Sequence, residues 1–176
     1  MAALVLISRV SNDKLNATSF VAYDERFFDI MGPDATIEQI QTLPFQVHEA
    51  ACFIPEQSKL FFVQWGPPGG EDGTHDYQYM LDTKTNKLEE IKTEPPTVNV
   101  HGAVHYKGSI YAVTDGSTHG SNNETGYLAK IDPKTLERTT LLNNFHERPF
   151  IGFNDLEVDE EGNFYLTDSR SGYVSI

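Results

Sequence analysis

Apolar and polar positions follow one layout in three separate stretches of the chain. Each stretch opens on a polar residue, His48, His101 or Asn154, and continues as an alternating strand, a tight turn and a second strand rich in aromatic and aliphatic residues. His101 follows His48 by 53 positions, and Asn154 follows His101 by another 53. A fixed period of about this size is typical of an array of supersecondary units rather than of one irregular core.

Two further hairpins lie between these stretches and share a turn sequence. Residues 77–93 and 126–142 have the pattern of paired strands, and their turns begin D-x-K-T at Asp82 and Asp132. Each repeat therefore contains four strands, which is the strand count of a propeller blade. The pattern predicts an all-β fold, with two full blades and the first half of a third within residues 45–176. Six blades of this size need roughly 300 residues, so about half of a six-bladed β-propeller is expected.

The N-terminal part of the chain has weaker patterning. Residues 1–15 are predicted to be a loose leader, which leaves 16–176 as the partial propeller domain. Weak alternation in FVAYDERFFDI (20–30) is compatible with a strand. The short run ATIEQIQT (35–42) contains several β-branched residues and also favours a strand.

Composition narrows the range of partners. The 176 residues include 26 acidic and 13 basic side chains, a formal net charge of −13, whereas a nucleic-acid interface needs a basic patch. No run of 18 apolar residues is available to cross a membrane. We therefore expect neither nucleic acid nor membrane as a partner. The single cysteine, Cys52, lies in the apolar run AACFI and is predicted to be a buried small hydrophobe rather than a nucleophile.

A propeller would bring the opening residues of the repeats to one central channel. The structural alternative is that these polar residues only cap or hydrogen-bond the strand ends, and their equal register weighs against it. Beside His48, Glu49 offers carboxylate oxygens, and Asn154 offers an amide oxygen. Hard cations such as Ca²⁺ or Mg²⁺ take such ligands, and Zn²⁺ can also take them.

Two other acidic residues follow predicted strands. Asp115 opens the sequence DGSTHG, which begins like a calcium-binding loop, but its twelfth position is Gly126 where a glutamate is needed. An ordinary polar loop is therefore predicted there. Asp168 stands at the end of a strand, and we expect it to orient a neighbouring loop rather than to line the channel.

Two longer motifs carry a resemblance to a known family. HEAACFIPEQSKLFF, which contains Glu49, and FNDLEVDEEGNFYLTD, which contains Asn154, resemble the senescence-marker-protein, gluconolactonase and luciferin-regenerating-enzyme-like family. FFDIMGPDATIEQIQT and DPKTLERTTLLNNF are similar to fungal lactonase-like members, and the similarity covers roughly residues 20–173. The resemblance implies a six-bladed propeller and metal-assisted hydrolysis of a lactone such as a sugar lactone.

The resemblance also implies roles for individual residues. Family members hold one divalent cation on the channel axis, and two of its ligands match Glu49 and Asn154; Ca²⁺ is expected, with Zn²⁺ or Mg²⁺ as alternatives. His101 takes the place of a substrate-holding asparagine and is the candidate substrate-binding residue. The third cation ligand, an aspartate that is also the candidate base, is expected beyond Ile176. We therefore expect weak or no lactonase activity from the chain as it stands.

Other functions stay open at this point. Propellers also serve as non-catalytic binding platforms, and the fold alone does not decide between the two roles. An inactive fragment is the other alternative, because the pattern stops in the middle of a blade. An unclosed blade would expose a strand edge through which copies of the chain could self-associate. For the enzymatic role, the expected partner is a small-molecule lactone.

Overall fold

In the computed structural model the chain forms two compact units, residues 1–46 and 47–176. The second unit carries all three repeats. No helix in the described part of the chain is long and apolar enough to cross a membrane. The structure describes residues 3–7, 24, 26–32, 36–43, 47, 49–64, 77–117 and 124–168.

In the first unit, two strands pair in parallel and are separated in sequence by a short helix. The strand predicted over 35–42 is confirmed, and the residues predicted as a leader contain a strand of their own. Its register begins with Ala3 opposite Thr36. The elements are β1 (Ala3–Ile7), α1 (Arg26–Met31) and β2 (Thr36–Gln41).

The strand considered for residues 20–30 is wrong, because α1 lies there instead. Asp24 caps the helix, since its Oδ1 accepts a hydrogen bond from the backbone N–H of Arg26 at 3.0 Å. Gly32 ends it with a φ of +84°, and its N–H donates to the carbonyl of Phe28 at 2.8 Å. These two local signals outweigh the weak alternation of the apolar residues.

The first complete repeat of the second unit forms a four-stranded antiparallel sheet in which the strands lie side by side in chain order. The strand pair after His48 and the hairpin predicted over 77–93 are both confirmed. They belong to one sheet because the second strand of the pair also hydrogen-bonds the first strand of the hairpin. The strands are β3 (Cys52–Ile54), β4 (Lys59–Gln64), β5 (Tyr77–Asp82) and β6 (Leu88–Ile91).

The second repeat forms a sheet of the same kind, so the hairpin predicted over 126–142 is confirmed as well. A small two-stranded ribbon is inserted between its second and third long strands. The long strands are β7 (Val100–Tyr106), β8 (Ser109–Thr114), β11 (Leu128–Ile131) and β12 (Arg138–Leu142), and the ribbon consists of β9 (Gly116–Ser117) and β10 (Glu124–Thr125).

The third repeat contributes one long antiparallel hairpin within the described residues, preceded by a second small ribbon. The strand pair that was predicted to open on Asn154 is confirmed, and it begins one residue earlier, at Phe153. The ribbon consists of β13 (Asn144–Phe145) and β14 (Arg148–Pro149), and the hairpin of β15 (Phe153–Val158) and β16 (Phe164–Asp168).

Consecutive sheets of the second unit pack against each other through two apolar clusters. The strands β3 and β15 both contact β7. One cluster joins the first sheet to the second and includes Ile54, Phe61 and Val100, all of them at most 1% exposed. The other joins the second sheet to the last hairpin and includes Val113 and Phe153. The core therefore runs between successive repeats, as expected for stacked units.

The two D-x-K-T turns have the same hydrogen bonds. In each, the aspartate Oδ1 of Asp82 or Asp132 accepts the backbone N–H groups two and three residues further on, at 2.7–3.0 Å. The residue four positions after the aspartate, Asn86 or Leu136, has a φ near +60° and donates its N–H to the carbonyl of that aspartate at 2.8 Å. The shared sequence thus encodes a shared backbone.

One glycine allows the second sheet and the last hairpin to approach closely. A Cβ atom on Gly102, in β7, would lie 2.9 Å from the Cα of Asp155 and 3.1 Å from Cδ2 of Leu156, both in β15. The first of these distances is shorter than real Cβ contacts allow, and the atom it involves belongs to the backbone. A larger residue at this position would therefore push the two strands apart.

The double variant Asp82→Asn, Asp132→Asn should make unfolding less sensitive to acid. Backbone N–H donors lower the pKa of both carboxyls, so their contribution to stability is present above pH 3.8 and is lost as the pH falls through the lowered values. Asparagine still accepts these hydrogen bonds but does not titrate. Between about pH 5 and pH 2, the free energy of unfolding in urea should therefore fall less than in wild type. Equal losses would contradict this assignment.

Gly102→Ala should lower the free energy of unfolding by about 1–3 kcal/mol, because the added methyl group overpacks the contact with Asp155. Denaturant titration measures the loss. Gly108→Ala is the comparison variant, since its Cβ meets nothing within 4 Å but its φ is +80°. That variant reports the cost of backbone strain alone. Wild-type stability of Gly102→Ala would show that the two strands are free to separate.

Candidate functional site

The first strand of each repeat begins with an equivalent pairing. In each repeat, a residue just before or at the start of the first strand forms an antiparallel backbone pair with the last residue of the second strand. These starting residues are 53 positions apart, like the polar residues that follow them. The three pairs are Val47 with Gln64, Val100 with Thr114, and Phe153 with Asp168.

Each of these pairings is followed by an irregularity in the strand. In β7 the register shifts between Val100 and Gly102, so His101 is an extra residue. In β15 it shifts between Phe153 and Leu156, over the stretch that contains Asn154. Bulges of this kind change the direction of a side chain relative to a regular strand. The bulges explain how side chains that a regular strand would point to opposite faces can lie at the same end of the sheets.

Glu49 is positioned by an irregular backbone before β3. Its carbonyl accepts a hydrogen bond from the N–H of Val63, in β4, at 3.1 Å. The next residue, Ala50, has a φ of +60°, which is uncommon for a residue other than glycine. The chain therefore turns sharply directly after Glu49, and this carboxylate lies at the start of the sheet rather than within the strand.

The imidazole of His101 lies between two carboxylates. Its Nδ1 is 3.5 Å from Oε2 of Glu49, and its Nε2 is 3.2 Å from Oδ2 of Asp115. The His101 side chain is only 10% exposed, whereas the two acidic side chains are about one-third exposed. The structure thus brings together two of the predicted site residues, Glu49 and His101, and adds Asp115.

Burial and several nearby charges shift the pKa of the Glu49 carboxyl. Burial has the largest effect and raises its pKa, while the neighbouring His101 lowers it. The negative charges of Asp155 and Asp115 raise the pKa further, although by less. The net pKa shift is upward, which is the expected result when a carboxylate is partly desolvated among other acids. Acidic groups are therefore concentrated at this end of the sheets.

Asn154 lies on the strand that packs against β7, and its side chain is exposed. Its neighbour Asp155 is held in place on both sides. The backbone N–H of Asp155 donates to Oγ1 of Thr167 at 2.9 Å, and its own Oδ1 accepts the N–H of Leu156 at 2.8 Å. Asn154 therefore lies next to an acid whose charge reaches Glu49. His48 lies outside the described residues.

A metal site formed by several acidic or histidine side chains is not observed. Among the residues that the structure describes, no three His, Cys, Asp or Glu side chains are grouped so that they could hold a metal ion. The predicted pair, Glu49 and Asn154, contributes one carboxylate and one amide. The cation site therefore stays a prediction.

Sequence reasoning missed two acids, Asp115 beside His101 and Asp155 beside Gly102. The sequence pattern predicts an ordinary polar loop at Asp115 and gives Asp155 no role of its own. Both could have been found from their places in the repeat, because Asp115 directly follows the residue paired with Val100, and Asp155 directly follows Asn154. The missing information was the bulge that turns His101 toward Asp115.

Two predictions about individual residues are confirmed. Asp168 orients a neighbouring loop, since its Oδ1 accepts the backbone N–H groups of Ile151 at 3.1 Å and Gly152 at 3.0 Å. Cys52 is buried, with 3% of its surface exposed, and this burial raises the pKa of its thiol to about 12. A thiol with so high a pKa is a poor nucleophile near neutral pH.

Comparison with known proteins gives matches over most of the chain. No protein-family model matches. Lactonohydrolase oryL of Aspergillus oryzae is 27% identical over 166 residues, covering 92% of this chain and 36% of the relative. The resemblance to lactonases is confirmed. Lactonohydrolase oryH of the same fungus is 28% identical over 146 residues, covering 78% of this chain and 30% of the relative. The chain thus spans about one-third of the length of these lactonase relatives.

The free energy of unfolding of Glu49→Gln, relative to that of wild type, should increase as the pH rises. Because the folded pKa of Glu49 is raised above 4.5, the stability that its neutral form contributes is full below pH 4.5 and is lost as the pH rises through the folded value. Glutamine stays neutral. The free energy of unfolding of the variant minus that of wild type should therefore increase between about pH 4.5 and pH 7, as measured by urea titration.

The control for this experiment is Glu161→Gln, in the exposed turn between β15 and β16. It also removes one negative charge from a chain of net charge −13, so it reports the general effect of charge. A difference between Glu49→Gln and wild type that stays constant or decreases with pH would contradict the raised pKa.

Proposed function

We propose that this chain carries part of the active site of a lactone hydrolase. The observation that carries the proposal is the similarity to two lactonohydrolases over 92% and 78% of the chain. The clustering of Glu49 and His101 at one end of adjacent sheets supports it. The substrate class that we propose is a lactone, with sugar lactones as the first candidates.

We also propose that the repeats belong to a six-bladed propeller. Two observations support this. Each complete repeat is a four-stranded antiparallel sheet with its strands in chain order, which is the construction of a propeller blade. The sheets also pack in succession, with β7 in contact with the first strands of the repeats before and after it. Under this proposal, the start of each first strand faces the central channel.

A divalent cation would be held by Glu49 and Asn154, with Ca²⁺ as the first candidate and Zn²⁺ or Mg²⁺ as alternatives. The donor chemistry fits, because carboxylate and amide oxygens are the ligands that hard cations prefer. The excess of negative charge also favours cation binding, since the charges of Asp115 and Asp155 both raise the pKa of Glu49. When bound, the cation would supply Lewis-acid polarisation of the lactone carbonyl.

The chain's own residues would bind and orient the lactone. His101 is the proposed substrate-binding residue, since its ring is largely buried and fixed between carboxylates, which gives it one orientation. A fixed polar group lowers the entropic cost of placing a substrate for reaction. Glu49 and Asn154 would hold the site at the start of β3 and β15, while the close contact at Gly102 sets the spacing between β7 and β15.

A binding platform without catalysis is the second candidate. What favours it is His101, which takes the place of the substrate-holding asparagine of the family that the sequence resembles. Such a protein would still bind a small polar ligand, or a cation, at the His101 end of the sheets. It would not hydrolyse a lactone at a rate that depends on the cation.

Glu49→Gln and Asn154→Ala should each weaken Ca²⁺ binding by at least about tenfold, because each removes one proposed ligand. Isothermal titration calorimetry measures the affinity. Because the third cation ligand and the candidate base are expected beyond Ile176, hydrolysis of a sugar lactone by this chain should be weak. Any part above the buffer rate, followed by titration of the acid released, should require Ca²⁺ and disappear in chelator. Both variants should lose this chelator-sensitive part. Glu161→Gln should behave as wild type in both assays.

The outcomes separate the two candidates. Ca²⁺ binding that depends on Glu49 and Asn154, without hydrolysis of any lactone, would support the cation site and the binding platform, and would refute lactone hydrolysis by this chain alone. Hydrolysis that survives chelation or both substitutions would show that the proposed site is wrong. Hydrolysis lost in both variants, with folding intact by circular dichroism, is the result that the hydrolase proposal requires.

A further inference from the structure

Asn154 lies on a bulge at the start of β15. The register of this strand shifts between Phe153 and Leu156, and the two residues between them lie opposite a single residue of β16, Thr167. A bulge of this kind disrupts the regular ladder of backbone hydrogen bonds. The peptide groups on either side of Asn154 are therefore held by side chains instead.

After Asn154, the hydroxyl of Thr167 takes the place of the ladder. Its Oγ1 accepts the backbone N–H of Asp155 at 2.9 Å and donates to the carbonyl of the same residue at 3.2 Å. A hydroxyl can do both because it has one donor and two acceptor positions. The next peptide group is also bound, since Oδ1 of Asp155 accepts the N–H of Leu156 at 2.8 Å.

Before Asn154, the carboxylate of Asp168 holds the chain. Its Oδ1 accepts the backbone N–H groups of Ile151 at 3.1 Å and Gly152 at 3.0 Å. Hydrogen bonds to an ionised carboxylate are stronger than those between neutral groups. The following residue, Phe153, pairs with Asp168 across the hairpin and is 2% exposed. Asn154 is thus the one residue between two fixed stretches of backbone.

We propose that Thr167 and Asp168 are positioning residues that hold the backbone of Asn154 and so fix the point from which its side-chain amide extends. Asp168 holds the chain before Asn154, and Thr167 holds it after. A group that is already ordered costs less entropy when it binds a ligand. That this ordered amide binds a cation rests on the proposed function, whereas the positioning itself does not.

The same pair of residue types ends the second strand of the preceding repeat, 53 positions earlier, as Thr114 and Asp115. There Oγ1 of Thr114 accepts the backbone N–H of Tyr127 at 3.3 Å, and Oδ2 of Asp115 lies 3.2 Å from Nε2 of His101. Sequence position alone would give Asp115 and Asp168 one role. Their contacts give them two: the first lies beside an imidazole, and the second binds backbone.

NMR relaxation of the ¹⁵N-labelled chain measures the positioning without any ligand. The backbone order parameter of Asn154 should be about 0.85 in wild type and fall toward about 0.6 in Asp168→Ala and in Thr167→Val, because each variant removes the bonds on one side. Asp168→Asn keeps an acceptor oxygen and Thr167→Ser keeps the hydroxyl, so both should retain most of the wild-type order.

The matched control is Asp132→Ala. Oδ1 of Asp132 also accepts two backbone N–H groups, and its loss removes one negative charge, as in Asp168→Ala. Asp132 follows the last residue of β11, which pairs with the beginning of β8, so it lies at the other end of the sheet from Asp115. This variant should leave the order parameter of Asn154 at its wild-type value.

Ca²⁺ binding, measured by isothermal titration calorimetry, tests the link to the cation. Asp168→Ala should weaken binding by roughly tenfold, the usual size of the effect when a group that orients a metal ligand is removed. Asp168→Asn should recover most of this loss because it still accepts the two N–H groups. Asp132→Ala should bind Ca²⁺ as wild type does.

The outcomes separate the positioning from the proposed function. A flexible Asn154 in wild type would overturn the positioning even if no variant folded, as would unchanged order in both Asp168→Ala and Thr167→Val. Weaker Ca²⁺ binding in Asp168→Ala with a rigid Asn154 would mean that Asp168 contacts the cation itself, which also overturns it. If wild type binds no Ca²⁺, the proposed cation site fails, and the order parameters alone decide the positioning.

Discussion

The close packing of the first strands of successive repeats is the constraint on which the rest of the second unit depends. β7 contacts β3 on one side and β15 on the other, and Gly102 brings its backbone within reach of Asp155. Because Gly102 has no side chain, β7 and β15 approach closely there, and acids and His101 come together at the starts of the strands. The apolar clusters between the sheets then supply most of the stabilisation, since burial of apolar surface is the dominant favourable contribution to folding.

This packing creates an electrostatic problem at the start of the strands. Several acids are gathered around one buried imidazole, and desolvation of a charge costs free energy unless a partner compensates. His101 lies between Glu49 and Asp115, and the upward shift of the Glu49 pKa shows that the compensation there is incomplete. A positively charged or hydrogen-bond-donating ligand would complete it, and this is the electrostatic basis of the binding site proposed at this end of the sheets.

Much of this arrangement could be predicted from the sequence, because it follows from periodic signals. Strand alternation, the 53-residue step and the D-x-K-T turns are local or repeated, and the structure contains the four-stranded sheets that they predict. The helix after Asp24 was missed since one capping side chain and one glycine decide it. The contact between Asp115 and His101 was missed because it depends on bulges, which leave little trace in the pattern of apolar residues.

The two D-x-K-T turns show how far the repeats can diverge. Asn86 and Leu136 occupy equivalent positions with a φ near +60°, yet such a conformation costs an ordinary residue about 1–2 kcal/mol and suits asparagine far better than leucine. The aspartate four residues earlier holds the backbone in both turns. Its hydrogen bonds thus make the tip of the turn tolerant of substitution, and sequence drift there need not alter the register of the two outer strands.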